Sequence, residues 1–463
     1  MATPNPAFAP FEQLMLAAGL PAVAIRSFRR HYEQLAGGET GMIPEQEIQP
    51  LESLPGADSL DPALANLGRE ALRATVILKL NGGLGTSMGL EQAKSLIEVK
   101  PGHSFLRLLL RQARHAGLPL VLMHSHHTQA ASAAAIQQHA QTDPLPEVLR
   151  FLQHRAPKIA QHDLAPARWP RNPELEWYPP GHGDLYGALV ASGILATLIN
   201  RGYRYAFVSN SDNLGAVTDE RILGFMVAQG ASFLMEVTDR TASDRKGGHI
   251  AQRPDGGLLL RESGQCPAQD RESFENIERH RFFNTNNLWV DLCKLETALR
   301  DRGGTLELPM IRNAKTVDPT DPASLPVYQL ESAMGAAIGV IPGAAAICVP
   351  RHRFAPVKTT ADLLVVRSDV YDVAPSGQLR RREGAAAPRV ELDPRYYGRL
   401  GDFERRFIAG VPSLHHCTLL SVSGDVVFGP GVVLEGEVRI VNPGPSQREL
   451  AGGRTYTGEV LLR

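Results

Sequence analysis

The sequence predicts an α/β fold in three parts, and three observations support the prediction. Residues 1–70 carry apolar side chains at helical spacing, residues 71–385 alternate short apolar strands with helical stretches, and residues 386–463 alternate Val and Leu with Gly at turn-like intervals. Strand–helix alternation is typical of a mostly parallel sheet covered by helices. We therefore predict a helical N-terminal segment, a central α/β domain and a small β-rich C-terminal domain.

The composition excludes several classes of protein. The 463 residues are 43% hydrophobic and 21% charged, with a formal net charge of −1, which is the profile of a soluble globular chain. Without an overall basic field we expect neither nucleic acid nor a membrane as partner, so an anionic ligand would be held by local geometry. No signal peptide or transmembrane stretch is predicted, and the four cysteines lack a CxxC spacing. We expect a cytoplasmic protein.

The N-terminal segment is predicted to be helical from its apolar spacing. Phe11, Leu14 and Met15 repeat at intervals of three and four residues, as do Phe28, Tyr32 and Leu35. Pro55 and Pro62 then interrupt the pattern before the first strand.

The central domain follows as alternating elements. The predicted strands include "RATVILKL", "LPLVLMHS" and "YRYAFVSNSDNL", and the predicted helices include "FLRLLLRQARHAG" and "AASAAAIQQHAQ". Ligands of such sheets lie beyond the carboxyl ends of the strands. Polar residues that directly follow these strands are therefore candidate site residues.

The C-terminal part begins after a basic run with Pro and Gly, "APSGQLRRREGAAAP", which reads as a linker or an exposed loop. The stretch "GDVVFGPGVVLEGEVRIV" resembles about two coils of a β-helix. A plain β-hairpin that caps the domain is the alternative interpretation.

The most informative stretch is "LKLNGGLGTSMGLEQAKSLI", residues 78–97. It is no P-loop, because Lys94 does not directly follow a glycine, and no dinucleotide fingerprint, because Met88 stands at the sixth position. A third arrangement remains, in which a strand enters a loop that folds over a nucleotide and glycines let the backbone approach it. Lys94 would then neutralise phosphate charge. A plain glycine turn is the alternative.

A second candidate lies at the end of "YAFVSNSDN". The apolar strand ends in Asn210 and Asp212, which places a carboxylate where a parallel sheet presents ligands. Mg²⁺ binds few carboxylates together with phosphate oxygens and water, so Asp212 alone suffices as its protein ligand. In the alternative interpretation Asp212 only caps the next turn.

At this point the sequence resembles a known family. "KLNGGLGTSMG" followed by "KSLI" is similar to the signature loop of the eukaryotic-type UTP–glucose-1-phosphate uridylyltransferases, or UDP-glucose pyrophosphorylases. Six further segments resemble that family in the same order: "WYPPGHGDLYGAL", "FVSNSDNLGAVTD", "RKGGHI", "FNTNNLWVDL", "YQLESAMGAAIG" and "RFAPVKTTADLLVVRSDVY". The resemblance is close over residues 75–371 and looser outside them.

The resemblance implies a fold and a reaction. The fold would be a Rossmann-like (GT-A-like) nucleotidyltransferase domain with a mixed sheet, spanning residues 71–385, followed by a β-helix-like domain over 386–463. The reaction would be the Mg²⁺-dependent, in-line conversion of UTP and glucose 1-phosphate into UDP-glucose and pyrophosphate. Two polyanions must meet, so positioning and charge neutralisation would supply most of the catalysis. No nucleophilic side chain is required.

The resemblance also implies roles for single residues. Lys94 and Lys358 would contact phosphates, and Asp212 would hold Mg²⁺. The nucleotide would lie against the backbone of the loop and against the amide of Gln153, which matches the position that hydrogen-bonds uracil. The remaining implied nucleotide contacts are Leu80, Asn81, Gly82, Gly83, Gly181 and Asn210. His182 would donate to the sugar phosphate, and Asn284 and Asn286, with Asn287 beside them, would include the groups that read sugar hydroxyls.

Three departures from the family pattern are visible. His124 stands near a position where an Asn is expected, "LEQA" precedes Lys94, and the C-terminal "GGRTYTGEVLLR" is divergent. His124 and His126 alternate on one strand face, so a zinc site is conceivable, but no third ligand follows at a suitable spacing. The C-terminal domain is a candidate for self-association into a homo-oligomer.

Two other functions stay open at this point. One keeps the fold and UTP but changes the sugar, as in broad UDP-sugar pyrophosphorylases that take galactose 1-phosphate or in the N-acetylhexosamine 1-phosphate enzymes. The latter typically read "GGxGTRLG" in the loop, so "NGGLGTSMG" favours glucose. The other is a retired scaffold that binds nucleotide without reacting, against which the intact Lys94, Asp212 and Lys358 argue.

Overall fold

The structure is a computed structural model that describes residues 7–90, 92–386 and 388–463. Its α-helices are α1 Ala9–Ala17, α2 Ala22–Ala36, α3 Leu64–Leu72, α4 Phe105–Ala116, α5 Gln129–Ala140, α6 Leu185–Ala191, α7 Ile194–Asn200, α8 Glu220–Ala228, α9 Arg271–Glu275, α10 Leu292–Arg300, α11 Thr360–Arg367, α12 Pro394–Tyr397 and α13 Leu400–Arg406.

The N-terminal segment is helical, as predicted, and it packs on the central domain. Helices α1 and α2 bury a cluster of aromatic rings in which Phe11 lies 4.8 Å from Tyr32 between ring centroids. The same cluster includes Ile159 and Tyr178 from the central domain. The apolar residues of α1 and α2 therefore form an interface with the central domain.

The centre of the molecule is a nine-stranded sheet. Its strands are β1 Thr75–Asn81, β2 Leu120–His124, β3 Val148–Leu152, β4 Tyr205–Asn210, β5 Phe233–Asp239, β6 His249–Gln252, β7 Leu258–Arg261, β8 Phe282–Asp291 and β9 Ala344–Cys348. The spatial order is β7-β6-β8-β4-β1-β2-β3, and β5 pairs with the other edge of β8 and with β9. The mixed sheet expected for the family is confirmed.

Strand direction changes at β8. Strands β1 to β4 are parallel to one another, as the alternation predicts. The long strand β8 then runs antiparallel to β4, β5 and β6. "Mostly parallel" thus holds for the first half of the domain, whereas in the second half only β5 and β9 are parallel neighbours and β6 pairs antiparallel with β7.

Smaller sheets surround this core. A three-stranded sheet contains Ile159–Ala160, Ile311–Thr316 and Pro326–Glu331. Two-stranded sheets pair Glu98–Lys100 with His103–Ser104, Ala156–Pro157 with Trp177–Tyr178, Tyr371–Val373 with Leu379–Arg381, and Val426–Phe428 with Arg448–Leu450.

The C-terminal part is a stack of parallel strands: β10 Arg389–Leu392, β11 Ser413–Ser423, β12 Val433–Val441 and β13 Thr455–Leu461. Each neighbouring pair is parallel, and so is the short pair Val426–Phe428 with Arg448–Leu450. A hairpin would require antiparallel neighbours, so the hairpin interpretation is wrong and the β-helix-like coil is confirmed.

The C-terminal part does not bury its apolar face alone. Its buried residues Tyr397 and Leu420 belong to one apolar cluster that also contains Val357 and Leu363 of the central domain. The segment that carries Lys358 is therefore packed directly against the C-terminal coils.

Among the described residues, no single helix is long and apolar enough to cross a membrane. The pair formed by residues 182–191 and 194–200 meets the length and composition criteria only jointly, across a bend of 66°. Both of its helices bury leucines in the main core of the central domain, among them Leu189 and Leu198.

Candidate active site

The glycine loop leaves β1 at Asn81 and folds back over Lys94. The backbone N–H of Lys94 donates to the carbonyl of Gly83 at 3.0 Å. Gly85 adopts a left-handed backbone conformation (φ 67°). Residues with a side chain rarely adopt this conformation, so the turn depends on glycine. Gly83 is exposed, and no atom lies within 4 Å of the place where its Cβ would be. The loop thus leaves space above its backbone for a ligand.

Lys94 and Asp212 meet at the carboxyl end of the sheet. Lys94 Nζ lies 2.5 Å from Asp212 Oδ2, and the two side chains are only 13% and 17% exposed. They come together because β1 and β4 are parallel neighbours whose ends carry the glycine loop and the Asp212 turn. Asn210, the last residue of β4, lies beside Leu80 in the same register.

Lys358 approaches the same end from another segment. The backbone N–H of Val357 donates to the carbonyl of Asp212 at 3.2 Å, and Pro356 forms a bridge with Asn213. The exposed Lys358 therefore follows directly on a segment that is fixed to the Asp212 turn. The structure brings the three predicted catalytic residues to one end of the sheet.

The residues around Asp212 fit a Mg²⁺ ion whose ligands are mostly supplied by a nucleotide. Asp212 Oδ1 is buried and has no hydrogen-bond partner among the described residues, so one hard oxygen donor is available. Within the described ranges no group of three or more His, Cys, Asp or Glu side chains could enclose a metal ion. The donor set suits a cation held by one carboxylate, phosphate oxygens and water. Among the described residues no third ligand joins His124 and His126, so the zinc alternative gains no support.

Gln153, Gly181 and His182 form a second group beside the loop. Gln153 Nε2 donates to the carbonyl of Gly181 at 2.8 Å, and Gln153 Oε1 would lie 3.1 Å from a Cβ on Gly82. Gly181 has φ 82°, and a Cβ there would approach the Ser332 carbonyl oxygen to 2.4 Å. Glycine is therefore required at position 181, where this loop passes close to the backbone of Ser332.

His182 is held as a neutral donor. Its Nδ1 accepts the backbone N–H of Met334 at 2.9 Å, and burial lowers its pKa to about 4. A neutral imidazole whose Nδ1 accepts carries its proton on Nε2. His182 thus has an N–H to offer a ligand without carrying charge.

The asparagine cluster lies in a bulge of β8. The register with β5 shifts between Asn284 and Asn287, and Asn286 adopts the left-handed conformation (φ 58°). Asn is one of the few residues that tolerates this conformation. Asn284 Nδ2 donates to Asn286 Oδ1 at 3.0 Å, which fixes the two amides together.

Asn287 does not belong to this pair of amides, because its side chain is turned into the core. It is fully buried and its amide donates to Glu236 Oε2 at 3.0 Å and to the Arg353 carbonyl at 3.3 Å. Arg353 also pairs with Glu236 at 2.6 Å, so Asn287 belongs to a buried network beneath the site. Asn284 and Asn286 remain as the candidates for sugar contacts.

Three of the predicted loop residues have polar groups that already form hydrogen bonds within the protein. The side chain of Asn81 is buried and donates to Ser132 Oγ at 3.0 Å, with His124 Nδ1 at 3.2 Å. The carbonyl of Leu80 accepts the N–H of Ser211 at 3.1 Å. The Gly82 carbonyl accepts the Ser125 hydroxyl at 2.9 Å. Among the predicted loop residues, Gly83 has the most open surroundings.

Sequence reasoning missed Glu262. Burial raises the pKa of its carboxyl, while a hydrogen bond from Asn284 and the charge of Lys358 act in the opposite direction. A Cβ on Gly248 would lie 2.5 Å from Glu262 Oε2, which shows why "KGGH" needs its second glycine. No spacing around Glu262 distinguishes it from a surface residue, and only the glycine pair opposite it could have pointed to a close contact.

A family model described as UTP–glucose-1-phosphate uridylyltransferase matches residues 25–435. This chain belongs to the UTP–glucose-1-phosphate uridylyltransferase family. It is 40% identical over 405 residues to a probable UTP–glucose-1-phosphate uridylyltransferase of Schizosaccharomyces pombe, which covers 85% of this chain and 78% of that protein. It is 36% identical over 446 residues to the enzyme of Hordeum vulgare, which covers 94% of this chain and 91% of the relative.

Solved structures agree with this membership. The UDP-glucose pyrophosphorylase of Leishmania major, known in open and closed forms, superposes with a TM-score of 0.91 at 43% identity, over 99% of this chain and 100% of that chain. A variant of the same enzyme in complex with UDP-glucose gives 0.92. A Trypanosoma brucei structure named UDP-glucose phosphorylase gives 0.88 at 41% identity, over 99% and 100% of the two chains. The family and the fold predicted from the sequence are both confirmed, and the chain is a nucleotidyltransferase.

Proposed function

We propose that this chain converts UTP and glucose 1-phosphate into UDP-glucose and pyrophosphate, reversibly, at the end of the sheet where Lys94, Asp212 and Lys358 converge. The family membership supports the reaction. The single observation that supports the place is the Lys94–Asp212 contact of 2.5 Å, because it joins a cation and a carboxylate from two sequence segments beside the open glycine loop.

The reaction needs binding and charge neutralisation more than covalent chemistry. A phosphate oxygen of glucose 1-phosphate attacks the α-phosphorus of UTP in line, and pyrophosphate leaves. Lys94 binds the phosphates of UTP, and Lys358 stabilises the charge that develops between the reacting groups. The neutral His182 donates Nε2–H to a phosphate oxygen.

Recognition falls to neutral groups. Gln153 accepts and donates hydrogen bonds at the uracil edge, and the backbone of Gly82, Gly83 and Gly181 allows close approach. Leu80 and Asn81 contribute backbone groups to the nucleotide contact, and Asn210 lies beside Leu80 at the end of β4. Asn284 and Asn286 read the sugar hydroxyls, since neutral amides match neutral hydroxyls.

Mg²⁺ is the cofactor in this proposal, held by Asp212 and by phosphate oxygens. When bound, it would neutralise phosphate charge and orient the triphosphate. The free Oδ1 of Asp212 and the absence of a larger ligand cluster among the described residues both fit this arrangement.

The first experiment follows pyrophosphate release from UTP, Mg²⁺ and glucose 1-phosphate, with galactose 1-phosphate and N-acetylglucosamine 1-phosphate in parallel. We expect release with glucose 1-phosphate, and a loss in kcat/KM of roughly 100-fold or more for Lys94→Met, Asp212→Asn and Lys358→Met, because each removes a charge that contacts the reacting groups. Release mainly with another sugar would move the specificity to the broader UDP-sugar enzymes. No release with any sugar would support the retired scaffold.

A matched control variant is Lys294→Met. Lys294 is a lysine of α10 whose Nζ donates to the Gly230 carbonyl at 2.6 Å, and it is exposed. We expect its kcat/KM to equal that of the wild type. An equal loss in Lys294→Met and Lys94→Met would contradict the assignment of Lys94.

Two further parts of the proposal concern the division of the chain into domains and its location in the cell. The domain limits 1–70, 71–385 and 386–463 remain our working division of the chain, with self-association assigned to the C-terminal coils. The four cysteines are unpaired, which suits the proposed location in a reducing cytoplasm.

A further inference from the structure

Asp184 lies in the loop of Gly181 and His182, but its carboxylate reaches the segment that carries Gln153. Asp184 Oδ2 accepts the backbone N–H of His154 at 2.7 Å, and Asp184 Oδ1 lies 2.8 Å from His154 Nδ1. We infer that Asp184, through His154, is a positioning residue that orients Gln153 and so sets the preference for uracil over cytosine. The inference rests on the proposed function, because it takes Gln153 as the residue that reads the base.

Both oxygens of the Asp184 carboxylate are used in the contact with His154. The Asp184 and His154 side chains are 8% and 10% exposed, so the pair is largely shielded from water. Asp184 also precedes α6, a position at which an aspartate commonly caps the helix, yet its side chain makes no bond to that helix. Its two oxygens serve His154 instead.

The backbone of Gln153 is held on both sides. Its own N–H donates to the His124 carbonyl at 2.7 Å, and the next N–H, that of His154, donates to Asp184 at 2.7 Å. The peptide units before and after Gln153 therefore have fixed partners. Without Asp184, only the partner on β2 would remain.

The amide of Gln153 has a defined orientation. A carbonyl oxygen can only accept, so the bond of 2.8 Å to the Gly181 carbonyl requires the amide nitrogen on that side. Oε1 then faces the glycine loop, near Gly82. An oxygen in this place accepts a hydrogen bond from the N3–H of uracil, whereas the unprotonated N3 of cytosine would oppose it.

Asp184 links both ends of that bond. The Gly181 loop is fixed on its far side, where Gly183 N–H donates to the Ser332 carbonyl at 2.8 Å and Ser332 N–H donates to Pro180 at 3.1 Å. On its near side the loop meets the Gln153 segment only through Gln153 itself and Asp184 in the described hydrogen bonds. Removing the carboxylate frees the amide to rotate, and the choice of base weakens.

The test measures kcat and KM for UTP and for CTP with saturating glucose 1-phosphate. For Asp184→Ala we expect kcat/KM for UTP to fall about 10-fold, mostly through KM, since two charge-assisted hydrogen bonds are lost. CTP should change less, so the UTP/CTP ratio falls, and KM for glucose 1-phosphate should stay near the wild-type value.

A pair of variants at His154 keeps the test decisive if Asp184→Ala does not fold. His154→Ala removes only the Nδ1 bond, so we expect a smaller fall in the UTP/CTP ratio. His154→Asn offers an amide N–H in its place and should restore part of the ratio. The control is Asp163→Ala, which breaks an exposed His162–Asp163 contact of 3.3 Å and should leave the ratio unchanged.

A merely structural role would give a different result. If the Asp184 and His154 variants lose kcat/KM by the same factor for UTP and CTP, or lose it through kcat alone, the inference is overturned. Failure of the proposed function would be seen separately, as a wild-type enzyme that releases no pyrophosphate from UTP.

Discussion

At the scale of single residues, Lys94 and Asp212 neutralise each other in an ion pair. The contact of 2.5 Å lies between side chains that are less than one-fifth exposed, so the ion pair is largely shielded from water. The proposed metal ligand is therefore engaged by the lysine that is proposed to bind UTP. Asp212 Oδ1 stays open to a divalent cation, but the ammonium group on Oδ2 neutralises the carboxylate, and the triphosphate offers Lys94 a new partner.

We predict that UTP and the metal ion bind cooperatively, and that Lys94→Met removes the coupling. Free wild-type enzyme should bind Mn²⁺ weakly, and UTP should strengthen binding. Lys94→Met should bind Mn²⁺ about 10-fold more tightly without UTP, because the ammonium group no longer neutralises the carboxylate of Asp212. Electron paramagnetic resonance of free Mn²⁺ measures this binding directly and needs no turnover.

Lys358→Met is the control for general electrostatics, since it removes a nearby charge without touching Asp212. It should change Mn²⁺ binding to the free enzyme much less than Lys94→Met does. Equal effects of the two variants would mean that Lys94 acts only through its long-range charge. Asp212→Asn should abolish the UTP-dependent part of Mn²⁺ binding.

How far the sequence predicts single residues depends on what defines their position. Asp212 was predictable, because strand ends in parallel sheets meet at one edge. Lys94 was predictable only with the family resemblance, since nothing in its own spacing directs it to Asp212. The left-handed conformation of Asn286 lies at a register shift between β5 and β8. That shift is a property of two strands in contact and has no signal in one of them.

At the scale of elements, the ends of β1 and β2 form a buried polar pair where the family pattern expects an asparagine. Asn81 and His124 are aligned across the two strands, and the Asn81 amide lies 3.2 Å from His124 Nδ1. Burial, with a smaller effect of Arg150, lowers the pKa of His124 to about 4. His124 Nε2 is buried without a hydrogen-bond partner among the described residues.

We predict that this histidine destabilises the fold in mild acid. Its folded pKa lies below the value of 6.5 in the unfolded chain, so the unfolded state binds the extra proton and stability falls as the pH drops below about 6.5 towards 4. Between pH 7 and 5 the loss is up to about 2 kcal/mol in the free energy of unfolding. Urea unfolding at the two pH values should show this loss reduced in His124→Asn.

The outcome that contradicts this account is an equal loss of stability in the wild type and in His124→Asn. Buried His31 and His182, each with a pKa lowered to about 4, should keep part of the pH dependence in both proteins. The difference between the two proteins, and not the slope of either one, therefore reports on His124.

The elements themselves were more predictable than their directions. The strands "RATVILKL", "LPLVLMHS" and "YRYAFVSNSDNL" contain β1, β2 and β4. The apolar period identifies a strand but not its neighbours, so the antiparallel half around β8 could not be derived from it. Its direction is set by which strands β8 contacts in the folded sheet, where it runs antiparallel to β4, β5 and β6.

At the scale of the whole molecule, the C-terminal coils are joined to the site by a shared core. Val357 precedes Lys358 and is fully buried with Phe403 and Leu450 of the C-terminal part. Deleting residues 386–463 would expose this core, so a truncated chain is a poor test of self-association. A test of self-association therefore needs point substitutions that change the proposed assembly surface and leave the shared core beside Lys358 intact.

We predict that copies associate through β13, whose outer edge has no strand partner among the described residues. Light scattering should give the wild type a mass above the 50.3 kDa of one chain.

Leu461→Pro tests this edge directly. Leu462 N–H donates inwards to Val441, so the N–H of Leu461 points outwards. The proline removes that outward N–H while the internal ladder stays intact. We expect Leu461→Pro to be a monomer with unchanged thermal stability. Ile408→Ser, which alters an 81% exposed side chain that follows α13 and is not part of β13, should keep the wild-type mass. A monomeric wild type would contradict the prediction, and loss of association in Ile408→Ser alone would move the interface away from β13.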